Sequence, residues 1–204
     1  GDSRYWYSTQ ATVTKLAADR AHQMNQDKVR DEIEKRIRDD LQVTGEFSRV
    51  YPLPQSNIDV PDVTDSGLVV LDPDHSFSKE PDNKAKSISK QILELQGNKP
   101  RIYRNSLVFL AADKNRLTDL EEAVKSFLAW ESILAEKVDP LDLTQNQVKQ
   151  AENQKTAMSN TIKTRIPEAY QWLLVPNQST PDSSIEFQPI QLRTNEPLAM
   201  RASK

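Results

Sequence analysis

The 204-residue chain contains no cysteine, two histidines and four glycines. Without cysteine there are no disulfides, no thiolate catalysis and no cysteine-based zinc site. Gly1, Gly45, Gly67 and Gly97 belong to neither a GxxxxGK[ST] nor a GxGxxG pattern, so this sequence carries no phosphate cradle of either kind. The longest apolar run falls far short of the roughly 20 residues that a membrane span needs, and no charged-then-apolar leader is present. No membrane partner is therefore expected, and a cytoplasmic location is. A formal charge of −3 argues against a surface that is everywhere an electrostatic partner for DNA. A local basic patch stays open.

With 36% hydrophobic and 28% charged residues, the chain has the composition of a polar but foldable globular protein with one substantial core. Three apolar runs, Leu68-Val69-Val70-Leu71, Leu107-Val108-Phe109-Leu110 and Trp172-Leu173-Leu174-Val175, are unbroken rather than alternating. Strands buried on both faces of a parallel sheet read this way. Helical periodicity follows the first two, over Ser87 to Gln96 and Asn115 to Lys137. A further stretch, Thr144 to Arg165, carries Val148, Ala151, Met158 and Ile162 and is joined to the preceding one around Asp139-Pro140. The fold class expected is α/β: a mostly parallel central sheet flanked by helices, with a long helical hairpin over 115–166 and a C-terminal edge strand.

Smaller signals complete the plan. Arg4 to Ser8 and Phe47 to Leu53 are strand-like, and Val13 to Leu41 approximates one helical stripe stopped by Gly45. Gly97-Asn98 reads as a helix stop before Pro100. The polar stretch Ser76 to Lys86 is expected on the surface. Pro167 is expected to break the helix before Tyr170. Ile185 to Leu192 alternates and holds Pro189, as an edge strand with one wet face does, whereas Arg193 to Lys204 has no pattern and reads as a frayed terminus or the start of another domain. Residues 1–176 then form the α/β module and 177–204 the edge strand and tail. Because strand-like Arg4-Tyr5-Trp6-Tyr7 follows Gly1 almost at once, the sequence reads as a piece of something longer.

Two of the apolar strands end in acidic residues, Asp72 and Asp113, at the sheet edge where open α/β folds place ligands. Asp72, Asp74 and His75, with Asp113 beside them, offer carboxylates and an imidazole that suit a metal-dependent hydrolase or nuclease. The other reading is a Pro-containing turn whose residues cap one another or the next helix. Arg101 and Arg104, with Asn105, stand before the central strand, where Arg contacts phosphate; solvated residues at a strand entrance are the alternative. Joined by Lys114 and Arg116, they would make a local DNA-contacting patch. Trp6, Trp130 and Trp172 suit base stacking or, as is more usual beside apolar neighbours, core packing. Ser106 has no GxSxG setting and reads as structural. No residue is assigned a catalytic role, and no metal ligand set is assigned.

The strings Arg4-Tyr5-Trp6-Tyr7-Ser8-Thr9 with Leu16-Ala17-Ala18-Asp19-Arg20-Ala21, then Pro100 to Asp113, Asp119-Leu120-Glu121-Glu122-Ala123 with Leu128-Ala129-Trp130, and Arg165 to Pro176 resemble a family of very large prokaryotic ATP-binding proteins. This is domain-of-unknown-function family 499, similar to the P-loop ATPases of phage-exclusion systems. The resemblance runs in order from Arg4 to Pro176. It implies that this stretch lies downstream of an AAA+-like region holding the ATP site, so ATP and magnesium belong to the full-length protein and no cofactor to this part. It also implies defence-island partners such as a DNA methyltransferase or helicase, besides the remainder of its own chain, with DNA contact open. Nothing in the family's ATP motif matches a numbered position here. The function expected is therefore that of a non-catalytic accessory domain mediating intramolecular or subunit contacts.

Overall fold

A computed structural model describes residues 13–80, 83–135, 143–180, 183–193 and 196–204. The expected strand at Arg4 to Ser8, Trp6 and the joint at Asp139-Pro140 lie outside the described residues. In chain order the elements are α1 (13–22), α2 (Gln26–Asp40), β1 (Arg49–Pro52), β2 (Gly67–Val70), α3 (Lys84–Glu94), β3 (Leu95–Gln96), β4 (Lys99–Pro100), β5 (Leu107–Ala111), α4 (Lys114–Ala135), α5 (Gln145–Ala169), β6 (Trp172–Asn177), β7 (Glu186–Gln191) and α6 (Leu198–Ala202). Short 3-10 turns occupy Asn57–Asp59, Pro73–His75 and Arg104–Ser106. None of the described helices is long and apolar enough to cross a membrane.

The chain divides into two compact units, Gly1–Ile33 with Asp119–Thr164, and Glu34–Thr118 with Arg165–Lys204. The first unit is helical where described. Val13 and Ala17 of α1, Trp130 and Ile133 of α4 and Ala151 of α5 form one apolar cluster. At its rim Lys155 pairs with Glu131 at 2.7 Å and lies over the Phe127 ring. Trp130 is thus a packing residue. The single stripe expected over Val13 to Leu41 is two helices, because the chain turns at 23–25 and the Asn25 side chain accepts the Asp27 N–H at 2.7 Å. An Asn that bonds the backbone two residues on restarts a helix instead of continuing one.

The second unit holds a five-stranded sheet in the order β1-β2-β5-β6-β7. β1, β2 and β5 are parallel, whereas β6 runs antiparallel to β5 and β7 antiparallel to β6. The parallel expectation therefore fails for Trp172-Leu173-Leu174-Val175. One helix between β2 and β5 brings the chain back to the sheet edge where β2 began, which yields a parallel neighbour. Two helices in succession return it to the edge it left: the Asp113 N–H at the start of α4 donates to the Ala169 carbonyl at the end of α5 at 2.7 Å. The next strand then runs the other way.

Burial is complete along the middle of this sheet. Val69, Leu71, Leu107, Phe109, Ala111 and Leu174 cluster with Ala85, Ile92 and Leu93 of α3, and Phe109 meets Phe187 of β7 edge to face at 5.8 Å. The alternate residues Leu68, Val70 and Leu110 are equally sealed, which is why these strands read as unbroken apolar runs. β7, carrying Pro189, is an edge strand as expected.

Four local expectations change. α3 spans Lys84–Glu94 rather than Ser87 to Gln96, since Asn83 caps it by accepting the Lys86 N–H. Gly97, at φ 59°, turns the β3-β4 hairpin rather than ending a helix. Pro167 lies inside α5; with only two residues of the helix after it, it removes one late N–H, and the Tyr170 N–H still reaches the Ile166 carbonyl at 2.9 Å. The terminal stretch is ordered too: α6 buries Leu198 and Ala199, and the Leu198 N–H donates to the Asp40 carboxylate at 2.8 Å. Gly45, at φ 61°, lies so close to this helix that a Cβ there would sit 2.8 Å from the Ala199 carbonyl oxygen.

Candidate functional site

The residues singled out in the sequence fall at both ends of the parallel strands. Asp72 follows β2 and is 2% exposed. Its carboxylate accepts the Asp74 N–H at 2.9 Å, capping the Pro73–His75 turn, and the Gln55 amide at 3.3 Å. Asp113 follows β5. It accepts the Asn115 and Arg116 N–H groups at 3.0 and 3.2 Å, capping α4, and the Trp172 indole N–H at 2.8 Å. Both strand-end carboxylates thus satisfy orphan donors of the helical turns that follow them. In the stretch expected at the surface, Lys79, Glu80 and Lys84 are exposed, but Phe77 is strapped to the strand end. Phe77 pairs with Asp113 as an isolated bridge, is buried, and stacks on Trp172 at 4.7 Å.

His75 is half-buried, and its Nδ1 has no hydrogen-bond partner among the described residues. With Asp74, Lys84 and Ser87 it lines an open hollow of about 630 Å³. Among the described residues no three His, Asp or Glu side chains gather as a metal-holding group.

Because Asn caps helices about as well as Asp, the two roles of Asp113 separate cleanly. Asp113→Ala should destabilise the protein by about 1–2 kcal/mol through the lost cap. Asp113→Asn should keep the cap through its one amide oxygen but lose the bond from the Trp172 indole N–H, and so cost about 1 kcal/mol. Urea unfolding followed by Trp fluorescence checks both, and a large loss with Asn would show that the negative charge itself matters.

The basic patch is not assembled. Arg101 and Arg104 precede β5, whereas Lys114 and Arg116 follow it, and five residues at about 3.3 Å each keep the pairs about 16 Å apart. Arg101 is no surface residue either. It is 3% exposed, and its guanidinium donates to the carbonyls of Ile92 at 2.9 Å, Pro61 at 2.9 Å and Val60 at 2.7 Å, with Asp62 at 3.8 Å. A fork of five donors suits this task because three carbonyls converge where the chain enters the sheet. Arg104 donates to the Arg101 carbonyl, Ser106 to the carbonyls of Val63 and Tyr103, and Lys114 pairs with Glu80 at 3.3 Å on the surface.

A different set of cations does come together. Arg116, Arg193 and Arg201, with Glu168, Gln171 and Gln191, line a hollow of about 380 Å³ at the carboxyl edge of β5. Sequence reasoning missed Arg193 and Arg201 because the tail shows no periodicity. The short apolar group Leu198-Ala199 after Pro197 was the one hint of a docked helix.

Gly45 lies between α2 and β1, Gly67 opens β2 and Gly97 turns the small hairpin, so none stands between a strand end and a helix start. Comparison with protein-family profiles, curated proteins and solved structures returns no match for the chain.

Proposed function

We propose that this chain is a non-catalytic α/β module of a larger ATP-binding protein, making contacts with the rest of its own chain or with partner subunits in a DNA-linked defence system. The observation that carries this reading is the use made of the strand-end carboxylates. Asp72 and Asp113 stand where chemistry would be sited in an open α/β sheet, and each is engaged as a cap and by a side-chain donor. The absence of a glycine-rich loop from the sequence agrees with it. In this reading ATP and magnesium are held by the longer protein. The helical hairpin formed by α4 and α5 is the surface offered to the motor or to a partner such as a methyltransferase or helicase. Direct DNA contact is the weaker reading, since its four cations lie at two ends of one strand.

The test compares ATP turnover by the isolated chain with that of the longer protein. The expected result is turnover by the longer protein and none by the isolated chain. Hydrolysis by the isolated chain that disappears with Asp72→Ala would overturn the reading and move catalysis to the end of β2.

A further inference from the structure

Three prolines lie within strands of the five-stranded sheet: Pro52 in β1, Pro176 in β6 and Pro189 in β7. A proline has no N–H to give to a neighbouring strand, so the side to which the missing donor faces decides its effect. Strand residues turn their N–H and C=O groups to the two sides alternately. In β1 the Arg49 and Leu53 N–H groups donate to the Ser66 and Val70 carbonyls, so Val50 and Pro52 face away from β2. In β7 the Leu192 N–H donates to the Gln171 carbonyl. Gln188 and Ile190 therefore face β6, and Phe187, Pro189 and Gln191 face outward. Pro176 shows what such a placement does inside this sheet. Its missing donor faces β5, and the register that pairs Phe109 with Leu174 would bring Leu107 opposite it. The ladder stops at Leu174, although β5 begins at Leu107.

We propose that Pro52 and Pro189 close this sheet to strand addition at both edges, so that the module meets its partners through helix faces and loops and takes up no strand from another chain. Among the described residues neither β1 nor β7 has a second neighbour, and an unpaired edge is a template for another chain unless it is blocked. β1, four residues long, offers one outward N–H, that of Val50, and the Pro52 carbonyl accepts from the Arg38 guanidinium at 3.4 Å. On β7 the missing donor falls in the middle of the outward row. The donors on either side of it, at Phe187 and Gln191, are four residues and so about 14 Å apart. A strand laid along this edge would bury one of its own carbonyls without a donor, which costs more than the bond it replaces would return. Closure of the edges follows from the register, while its consequence for partners rests on the module reading above.

Sedimentation equilibrium of the purified 204-residue chain tests it, with Pro189→Thr and Gln188→Thr beside the unchanged protein. Thr at 189 restores an outward N–H without adding apolar surface. At 188, where the N–H already faces β6, it leaves the edge as it was and controls for strand propensity. Pro189 is exposed, so Pro189→Thr should keep the fold, with far-UV circular dichroism as the check. It should self-associate at least about tenfold more tightly than the unchanged protein, reversibly on dilution, as recovery of one forfeited hydrogen bond predicts. Pro189→Ala restores the same donor with a smaller side chain and should act in the same direction, whereas Gln188→Thr should match the unchanged protein. Association of both Pro189 variants no tighter than that of the unchanged protein, or an equal rise with Gln188→Thr, overturns the closure. ATP turnover is not read in this experiment, so failure of the module reading and failure of the closed edges show separately.

Discussion

Arg101→Met should lower the stability of the protein by about 3–5 kcal/mol, the usual cost of breaking a buried charged network from one side. Methionine fills similar space but offers no donor. The carbonyls of Ile92, Pro61 and Val60 would lose their partner, and Asp62 would keep its charge without the guanidinium beside it. Arg101→Lys should recover only part of the loss, because a single ammonium cannot reproduce the fork. In a chain of this length such a change lowers the melting temperature by about 10 °C. Scanning calorimetry of the three proteins checks it, and a shift under about 2 °C for the Met variant would refute the role given to Arg101.

The same network carries a pH signature. Burial pushes the Asp62 carboxyl up, but the Ile102 and Tyr103 N–H groups and the charge of Arg101 outweigh it and hold the group below the ordinary carboxylate range. A carboxyl depressed in the folded state adds stability above its unfolded pKa and loses it as pH falls through the folded value. Without Arg101 the Asp62 carboxyl is depressed less, so that acid loss should be smaller and complete at a higher pH.

Phe109→Ala should cost about as much, 3–5 kcal/mol, by the general scale for emptying an aromatic site in a core. Phe109 is fully buried in the central strand, and its ring packs edge to face on Phe187. The cavity would open in the cluster that joins the sheet to α3. Phe109→Leu should cost visibly less, since most of the volume is restored. In urea the midpoint should fall with an unchanged slope if the folded state stays intact; equal losses for Ala and Leu would mean that ring contacts rather than volume matter here.

Much of the sheet was legible. Leu68 to Leu71 and Leu107 to Leu110 announce themselves because both faces are covered, and Pro189 marks the edge. Strand direction was not legible, because an apolar run sealed on both faces reads alike in either orientation. What decides β6 is the number of helices before it, and that is a property of the path. At the candidate site, Asp72 and Asp113 were correctly placed at strand ends. That they cap the turns after them rests on the neighbouring N–H groups of Asp74, Asn115 and Arg116, as the turn reading of the sequence allowed; that Gln55 and Trp172 also donate to them was hidden, because both are remote in sequence. Arg101 gave no sign of burial, since an Arg bonded to carbonyls looks in sequence like an Arg bonded to water. The arginine hollow was beyond reach for a different reason: Arg116, Arg193 and Arg201 become neighbours only when α6 docks beside the ends of β5 and β7.

Ala111 at the end of β5 sits directly opposite Trp172 at the start of β6, and the Asp113 N–H reaches the Ala169 carbonyl. In terms of the sheet, β5 and β6 are therefore a simple hairpin. Everything from Ala112 to Gln171, the two longest helices included, is a detour that leaves and rejoins at nearly one point. The middle of such a detour can grow or shrink without altering a single strand pairing, whereas its two ends are fixed to the sheet, the Tyr170 hydroxyl donating to the Leu71 carbonyl and the Lys114 N–H to the Phe77 carbonyl.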